Sequence, residues 1–235
     1  MKNTVEEALK DLSAGKIVLV FDSDDRERET DMVVASEFIT PKVVMEMRKE
    51  AGGLICTAAH NDIKEKFDLP FLVDVFSCSA KAHPVMDLLS PTDIPYDTKS
   101  AFSITINHRA TFTGITDTDR ALTISEFAKL AKRTKRMSDE QARIEFGKTF
   151  RAPGHVHLLN ASKDLLVNRF GHTELTTALV VMTGLTPSAT MCEMMGDDGH
   201  ARSKESAKEY AKKFDLCFLE GRQIIESWRK WEKPK

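Results

Sequence analysis

Apolar residues along this chain keep two different spacings, and the switches between them predict an order of helices and strands. In VEEALKDLSAG (5–15) they recur at helical intervals and stop at Gly15, whereas KIVLVFD (16–22) is the short continuous apolar run of a buried strand. DMVVASEFI (31–39) is a second such run. TPKVVMEMRKEAG (40–52) opens with Thr40 as helix cap and Pro41 at the first helical position, and GLICTAA (53–59) follows as another strand. From HNDIKEKFDLPFLVD (60–74) to SPTDIPYDTKS (90–100) the period is lost and four prolines intervene, which predicts loops or excursions that cover a site. AFSITINHRATF (101–112) alternates as a strand does, and TISEFAKLAKR (123–133) is a helix starting at Thr123 or Ser125. GHVHLLNAS (154–162), HTELTTALVVMTGL (172–185), SATMCEMM (188–195) and SKESAKEYAKKFD (203–215) read strand, helix, strand, helix. A short strand, LCFLEG (216–221), and a last helix close the chain. The expected fold class is α+β, with helices packed on a mixed sheet.

Composition narrows this without redirecting it. With 235 residues, 41% hydrophobic and 30% charged, the chain can build one substantial core, and it shows no repeat, low-complexity tract or linker. A single domain over 1–235 is expected. No apolar run reaches the roughly 20 residues of a membrane span, and the N-terminus MKNTVEEALKDL is a charged amphipathic helix without a signal core, so a cytoplasmic protein is expected. Cys56, Cys78, Cys192 and Cys217 are widely spaced with no C-x-x-C pair, which suggests neither zinc ribbon nor disulfide framework. A net charge of -2 supplies no general field for nucleic acid or anionic lipid.

The candidate chemistry sits in four places. DDRERETD (24–31) is charged at every position but Thr30, directly after a predicted strand. Such octets are commonly solvated turns. Here, however, carboxylates crowd two arginines, and an extended spacing would set Glu27, Glu29 and Asp31 on one side, able to hold a hard divalent cation. In NRFGHTEL (168–175), Gly171 allows close backbone approach and Thr173 opens a helix with free N–H groups and a hydroxyl. Arg169 adds a guanidinium suited to phosphate, and His172 could ligate a metal touching that phosphate; an ordinary helix cap is the alternative. In RAPGHVHLLN (151–160), Pro153 and Gly154 turn the chain into a strand on which His155 and His157 share a face, so spacing does not choose between them. In CEMMGDDG (192–199), Glu193 interrupts an apolar strand and must be paired or functional.

Taken in order, DDRERETD, TFTGITDTDRA, FRAPGHVHLL, NRFGHTE and CEMMGDDG resemble the motifs of 3,4-dihydroxy-2-butanone 4-phosphate synthases, over residues about 5 to 220. RERETD in place of the more common RENEGD, with GGLICTA and AFSITINHR, is similar to the archaeal type, and Thr30 stands where the common pattern has glycine. Bifunctional relatives carry a following GTP cyclohydrolase domain, for which this chain has no room. The resemblance implies a single three-layer α-β-α domain with a mixed central sheet, and conversion of D-ribulose 5-phosphate to L-3,4-dihydroxy-2-butanone 4-phosphate and formate. The implied route is enolisation, loss of water, skeletal rearrangement and expulsion of C4, with two magnesium or manganese ions per site and no organic cofactor. Glu27 and His172 match the metal ligands, and Arg169, Phe170, Gly171, Thr173 and Thr113 match positions at the phosphate. Arg26 and Asp31 match sugar contacts; Glu193 and His155 match groups needed for catalysis. Glu29 and Cys56 are nearby proton-transfer or positioning groups, Cys56 having the alternative of a small buried residue. A homodimer with composite sites is implied, with Tyr96 reaching toward the neighbour's substrate or simply packing in its loop. A magnesium phosphatase or sugar-phosphate isomerase would use the same carboxylates but release other products. A phosphate-sensing module would give no reason for Glu193 or His155.

Overall fold

The computed structural model describes residues 2–232. Seven strands form one mixed sheet: β1 (Val18–Phe21), β2 (Thr30–Ala35), β3 (Cys56–Ala59), β4 (Phe102–His108), β5 (Phe150–Asn160), β6 (Ser188–Glu193) and β7 (Cys217–Glu220). Their order is β4-β5-β3-β6-β2-β1-β7, with β1 parallel to β7, β3 parallel to β5, and every other neighbouring pair antiparallel. Alternate residues of β2 serve opposite faces: Met32 and Val34 join one core, Val33 and Ala35 the other. The first core packs under α2 (Pro41–Glu46), α6 (Asp117–Thr134) and α9 (Lys204–Lys213); the second under α1 (Val5–Ser13), α8 (His172–Thr183) and α10 (Gly221–Trp231). Two helical layers thus enclose the sheet. That is why β1 and β2 are buried at every position and read as continuous apolar runs.

Four local expectations need correction. The octet is not extended: residues 24–27 form a turn, Arg28 takes a left-handed φ of 60°, and Asp22 accepts from the Glu27 and Glu29 backbone N–H groups at 2.9 and 3.2 Å. A buried aspartate at the strand end therefore folds the loop back on itself. The stretch from 60 to 101 is not merely irregular, since it holds α3 (Asn61–Phe67), α4 (Leu72–Ser79) and α5 (Val85–Leu88) before its loop. The helix expected at Thr123 begins at Asp117, capped by Thr116 accepting from the Asp119 N–H at 3.1 Å, and the charged link after it contains α7 (Asp139–Thr149). Pro153 and Gly154 lie within β5 rather than before it. There β4 advances one residue, from Ile106 to Asn107, while its partners jump from Val156 to Arg151, so residues 152–155 bulge from the ladder. Gly154 is needed because a Cβ there would stand 2.0 Å from the Ile106 carbonyl carbon.

These connections aim the chemistry at one end of the sheet. Phe21 pairs with Thr30 where β1 hands over to the charged turn, Asp31 pairs with Glu193 where β6 ends, and the N-terminus of α8 starts beside them.

Candidate active site

Asp31, Cys56 and Glu193 lie on the sheet face that carries α8, and they line one cavity with Glu27, Arg169, His172 and Thr173. Tyr96 and Asp97 close it from the loop before β4. His172 is buried, not the partly exposed cap residue of the alternative reading; its Nδ1 lies 3.1 Å from Glu27 Oε2 and its Nε2 faces the Val20 carbonyl at 3.3 Å and Asp31 Oδ1 at 3.6 Å. Burial opposes its charge, but the charge of Asp31, the Glu27 hydrogen bond and the charge of Asp22 outweigh it and raise its pKa to about 10. Asp31 is pushed well above the ordinary carboxyl range by burial, with Glu193, Glu27 and Glu29 adding to the rise and His172 opposing it. Its Oδ1 is buried without a hydrogen-bond partner. A buried acceptor among like charges, met only by the His172 ring at 3.6 Å and by no hydrogen bond, is costly and well suited to a cation or a hydroxyl.

Glu193 ends β6 with Oε2 accepting from the Leu54 N–H at 2.7 Å. Gly53 lets it fit, because a Cβ there would lie 2.4 Å from that same oxygen. Cys56 is buried, and burial with the charges of Glu193 and Asp31 drives its thiol pKa far up, so it is held as a neutral thiol. Glu29 is raised by burial and by Glu27, and its carboxylate stands beside the cavity rather than among its lining groups.

The anion-binding half is built on α8. Gly171 caps the helix, and a Cβ on it would come within 3.0 Å of Nη1 of both Arg26 and Arg169, so the two guanidinium groups converge over the helix N-terminus. Glu174, fully buried one turn in, pairs with Arg169. Asp97 bridges the arginines. Tyr96 lies under Arg26 of its own chain at 5.6 Å and stays exposed. Phe170 is exposed and lines a separate groove with Arg26, Arg222 and Arg229.

His155 and Thr113, both expected at the site, lie away from this cavity. His155 sits in the β5 bulge, where Asn107 Oδ1 accepts its backbone N–H at 2.8 Å and Asn107 Nδ2 meets its Nδ1 at 3.1 Å. Asn107 Nδ2 also donates to the Thr113 carbonyl at 3.3 Å, and Thr113 reaches Asp119 at 3.5 Å. His155 and Thr113 thus form a second cluster at the β4 edge. His157 is in the regular ladder opposite Cys56 and edge-on to Phe102. Asp22, Asp97, Asn107 and Glu174 escaped the sequence reading. Only Asp22 had a local signal, an acidic residue closing an apolar strand; together with Glu27 and His172 it offers three ligand atoms within 4.8 Å of one another.

The fold is that of a known group of synthases. It superposes with a TM-score of 0.77 on a 3,4-dihydroxy-2-butanone 4-phosphate synthase solved in complex with two magnesium ions, covering 98% of each chain at 23% identity, a likeness of fold. In sequence the kinship is closer. The family model for 3,4-dihydroxy-2-butanone 4-phosphate synthase matches residues 6–227. The synthase of Methanothermobacter thermautotrophicus is 51% identical over 225 residues, 95% of either chain, and that of Methanosarcina mazei 44% identical over 230 residues, 97% of this chain and 92% of its own. The chain belongs to the 3,4-dihydroxy-2-butanone 4-phosphate synthase family of riboflavin biosynthesis, with the archaeal form as its near relative.

Proposed function

We propose that the chain converts D-ribulose 5-phosphate to L-3,4-dihydroxy-2-butanone 4-phosphate and formate. The observation that carries this reading is the convergence of Glu27, Asp31, Glu193, His172 and Arg169 on one cavity, with Arg26 joined to Arg169 through the lining residue Asp97. The arginines and the α8 N-terminus bind the phosphate, with Gly171 and Thr173 supplying backbone N–H groups and Thr173 a hydroxyl. That fixes the sugar carbons over the carboxylates. Asp31, whose pKa burial and the neighbouring carboxylates raise, and Glu193 move protons during enolisation and dehydration. Glu29 and Cys56 position these groups. The water lost in dehydration is regained when C4 leaves as formate, so the reaction is redox-neutral overall.

The donor set fits a hard divalent cation: Glu27 and His172 would hold it, Asp22 stands within reach, and the unpartnered Asp31 Oδ1 shows that the cluster has an acceptor to spare. Magnesium or manganese there, two ions in the full reading, would neutralise negative charge developing on the sugar oxygens. His155 and Thr113 return to the reaction in a homodimer, where their edge cluster completes a partner's cavity.

Incubating the protein with ribulose 5-phosphate and magnesium should release one formate per sugar and no inorganic phosphate, and excess chelator should stop it. Free phosphate or an isomeric pentose phosphate without formate would replace this reading with a phosphatase or an isomerase.

A further inference from the structure

Arg26 and Arg169 already hold an anion, and it belongs to the chain. Asp97 Oδ2 takes Arg26 Nη2 at 3.0 Å and Arg169 Nε and Nη2 at 2.7 and 2.5 Å, while Oδ1 accepts the Thr98 N–H at 2.9 Å. Its side chain is 9% exposed. One carboxylate oxygen nevertheless fills only part of the cradle. Arg26 Nη1 remains buried without a hydrogen-bond partner, facing Arg169 Nη1 across Gly171, with Asp22 and Glu27 near it only as ion pairs at 3.7 and 4.0 Å. Three phosphate oxygens would use donors that one carboxylate oxygen leaves idle.

The two carboxylates on Arg169 differ in how they are mounted. Glu174 belongs to α8, is fully buried, and its Oε1 also accepts the Ser162 N–H at 2.9 Å. Asp97 rides on the segment from Asp93 to Ala101, which has no regular secondary structure; Tyr96 beside it is 44% exposed. Beyond Asp97 the segment is held at the surface, where Lys99 pairs with Asp74 at 2.8 Å, and at its end, where the buried Ala101 carbonyl accepts the Asn160 N–H at 2.8 Å. Asp97 can leave; Glu174 cannot without opening the helix layer.

We propose that Asp97 is an internal competitor for the anion cradle, a residue that sets the affinity an anion needs to occupy it, so that a phosphate dianion takes the two arginines and weakly bound, singly charged anions do not. This rests on the phosphate reading given above. A monoanion entering the cradle exchanges one charge for another and loses to a carboxylate tethered at high effective concentration. A dianion brings more charge and more acceptors, and displaces it. The apparent dissociation constant is then the intrinsic one divided by the fraction of molecules whose arginines are free, so the competitor weakens every anion and stops the weak ones altogether. Its release also loosens the segment from Asp93 to Ser100, short of the anchored Ala101, coupling its motion to phosphate arrival.

The test is calorimetric titration of the native protein, Asp97→Asn and Asp97→Ser with inorganic phosphate and with acetate at pH 8, beside thermal melts to confirm folding. Both variants should bind phosphate about tenfold more tightly and take up acetate measurably, as removal of a charge-assisted competitor requires. In hydrogen exchange, phosphate should speed exchange of residues 94–100 in the native protein and leave the already fast Asp97→Asn unchanged. Equal or weaker phosphate binding in both variants, or native exchange that phosphate does not alter, overturns the competitor. If such a protein still makes formate from ribulose 5-phosphate, the phosphate reading stands and only the role of Asp97 falls; if no form binds phosphate, both fall together.

Discussion

His155 and His157 stand two residues apart, and their surroundings separate them. His157 lies in the ladder against Cys56 and Phe102, while His155 leaves it in the bulge and is held at both its backbone N–H and its ring by Asn107. A side chain so held in a bulge at the sheet edge suits proton transfer better than one packed in a sheet. His155→Ser should lower formate release by about 100-fold or more with little change in melting temperature, as for a group acting in the transition state. His157→Thr should keep most activity; the reverse pattern would reassign the motif. Asp97 makes a second residue-scale case. Burial raises its pKa, but the hydrogen bond and charge of Arg169 and the charge of Arg26 more than offset this and leave it below the ordinary value. A depressed carboxyl contributes stability above its unfolded value of about 3.9 and loses it as pH falls through the lower folded value. The melting-temperature gap between native protein and Asp97→Asn should therefore be constant near neutrality and close below about pH 4. A gap that persists at pH 2 would show that the aspartate stabilises by shape alone.

Among the elements, the β4–β5 pair has the most particular requirement. Residues 152–155 leave the ladder, Gly154 donates to Thr105 Oγ1 at 3.1 Å, and no Cβ fits at Gly154 against Ile106. Gly154→Ala should cost about 1–3 kcal/mol as overpacking against backbone. Because the bulge carries His155, activity should fall further than stability explains. Chemical denaturation and formate release on the same preparation check both; an alanine variant of native stability would mean the bulge relaxes freely. The α8 layer is less exacting in shape, but its first turn holds Glu174, whose pairing with Arg169 lets a carboxylate stay at the base of a buried helix.

For the whole molecule, the decisive fact is that the expected groups fall into two clusters. Glu27, His172 and Arg169 line the cavity under α8, with Arg26 joined to Arg169 through Asp97, while His155 and Thr113 gather with Asn107 and Asp119 at the far edge of the sheet. Phe112 is 94% exposed beside the second cluster, an apolar group that a partner would cover. In a symmetric dimer with composite sites, inactive Glu27→Gln and His155→Ser proteins should complement one another. With random subunit exchange, half the pairs carry one intact site, and about a quarter of native activity should return. Mixtures that stay inactive after subunit exchange has been verified would place both clusters in a single self-contained site.

By itself the sequence determined what depends on residue type and local spacing. Buried runs marked the strands, Thr40 and Pro41 marked a helix start, and the motif residues at the octet, the α8 N-terminus and Glu193 were all legible, since each is a short stretch whose chemistry is written in its own side chains. Only the tertiary structure decided what those stretches face. The turn at 24–27 replaces an extended octet because Asp22, buried by the strand before it, gathers two backbone N–H groups. Asp97 reaches Arg26 and Arg169 across more than 70 positions of sequence, and nothing local marks it among the acidic residues of a loop. The two histidines share a face by counting and part company by register, because a bulge is set by the opposing strand. Spacing along a chain fixes which groups are available, and long-range packing fixes which of them meet.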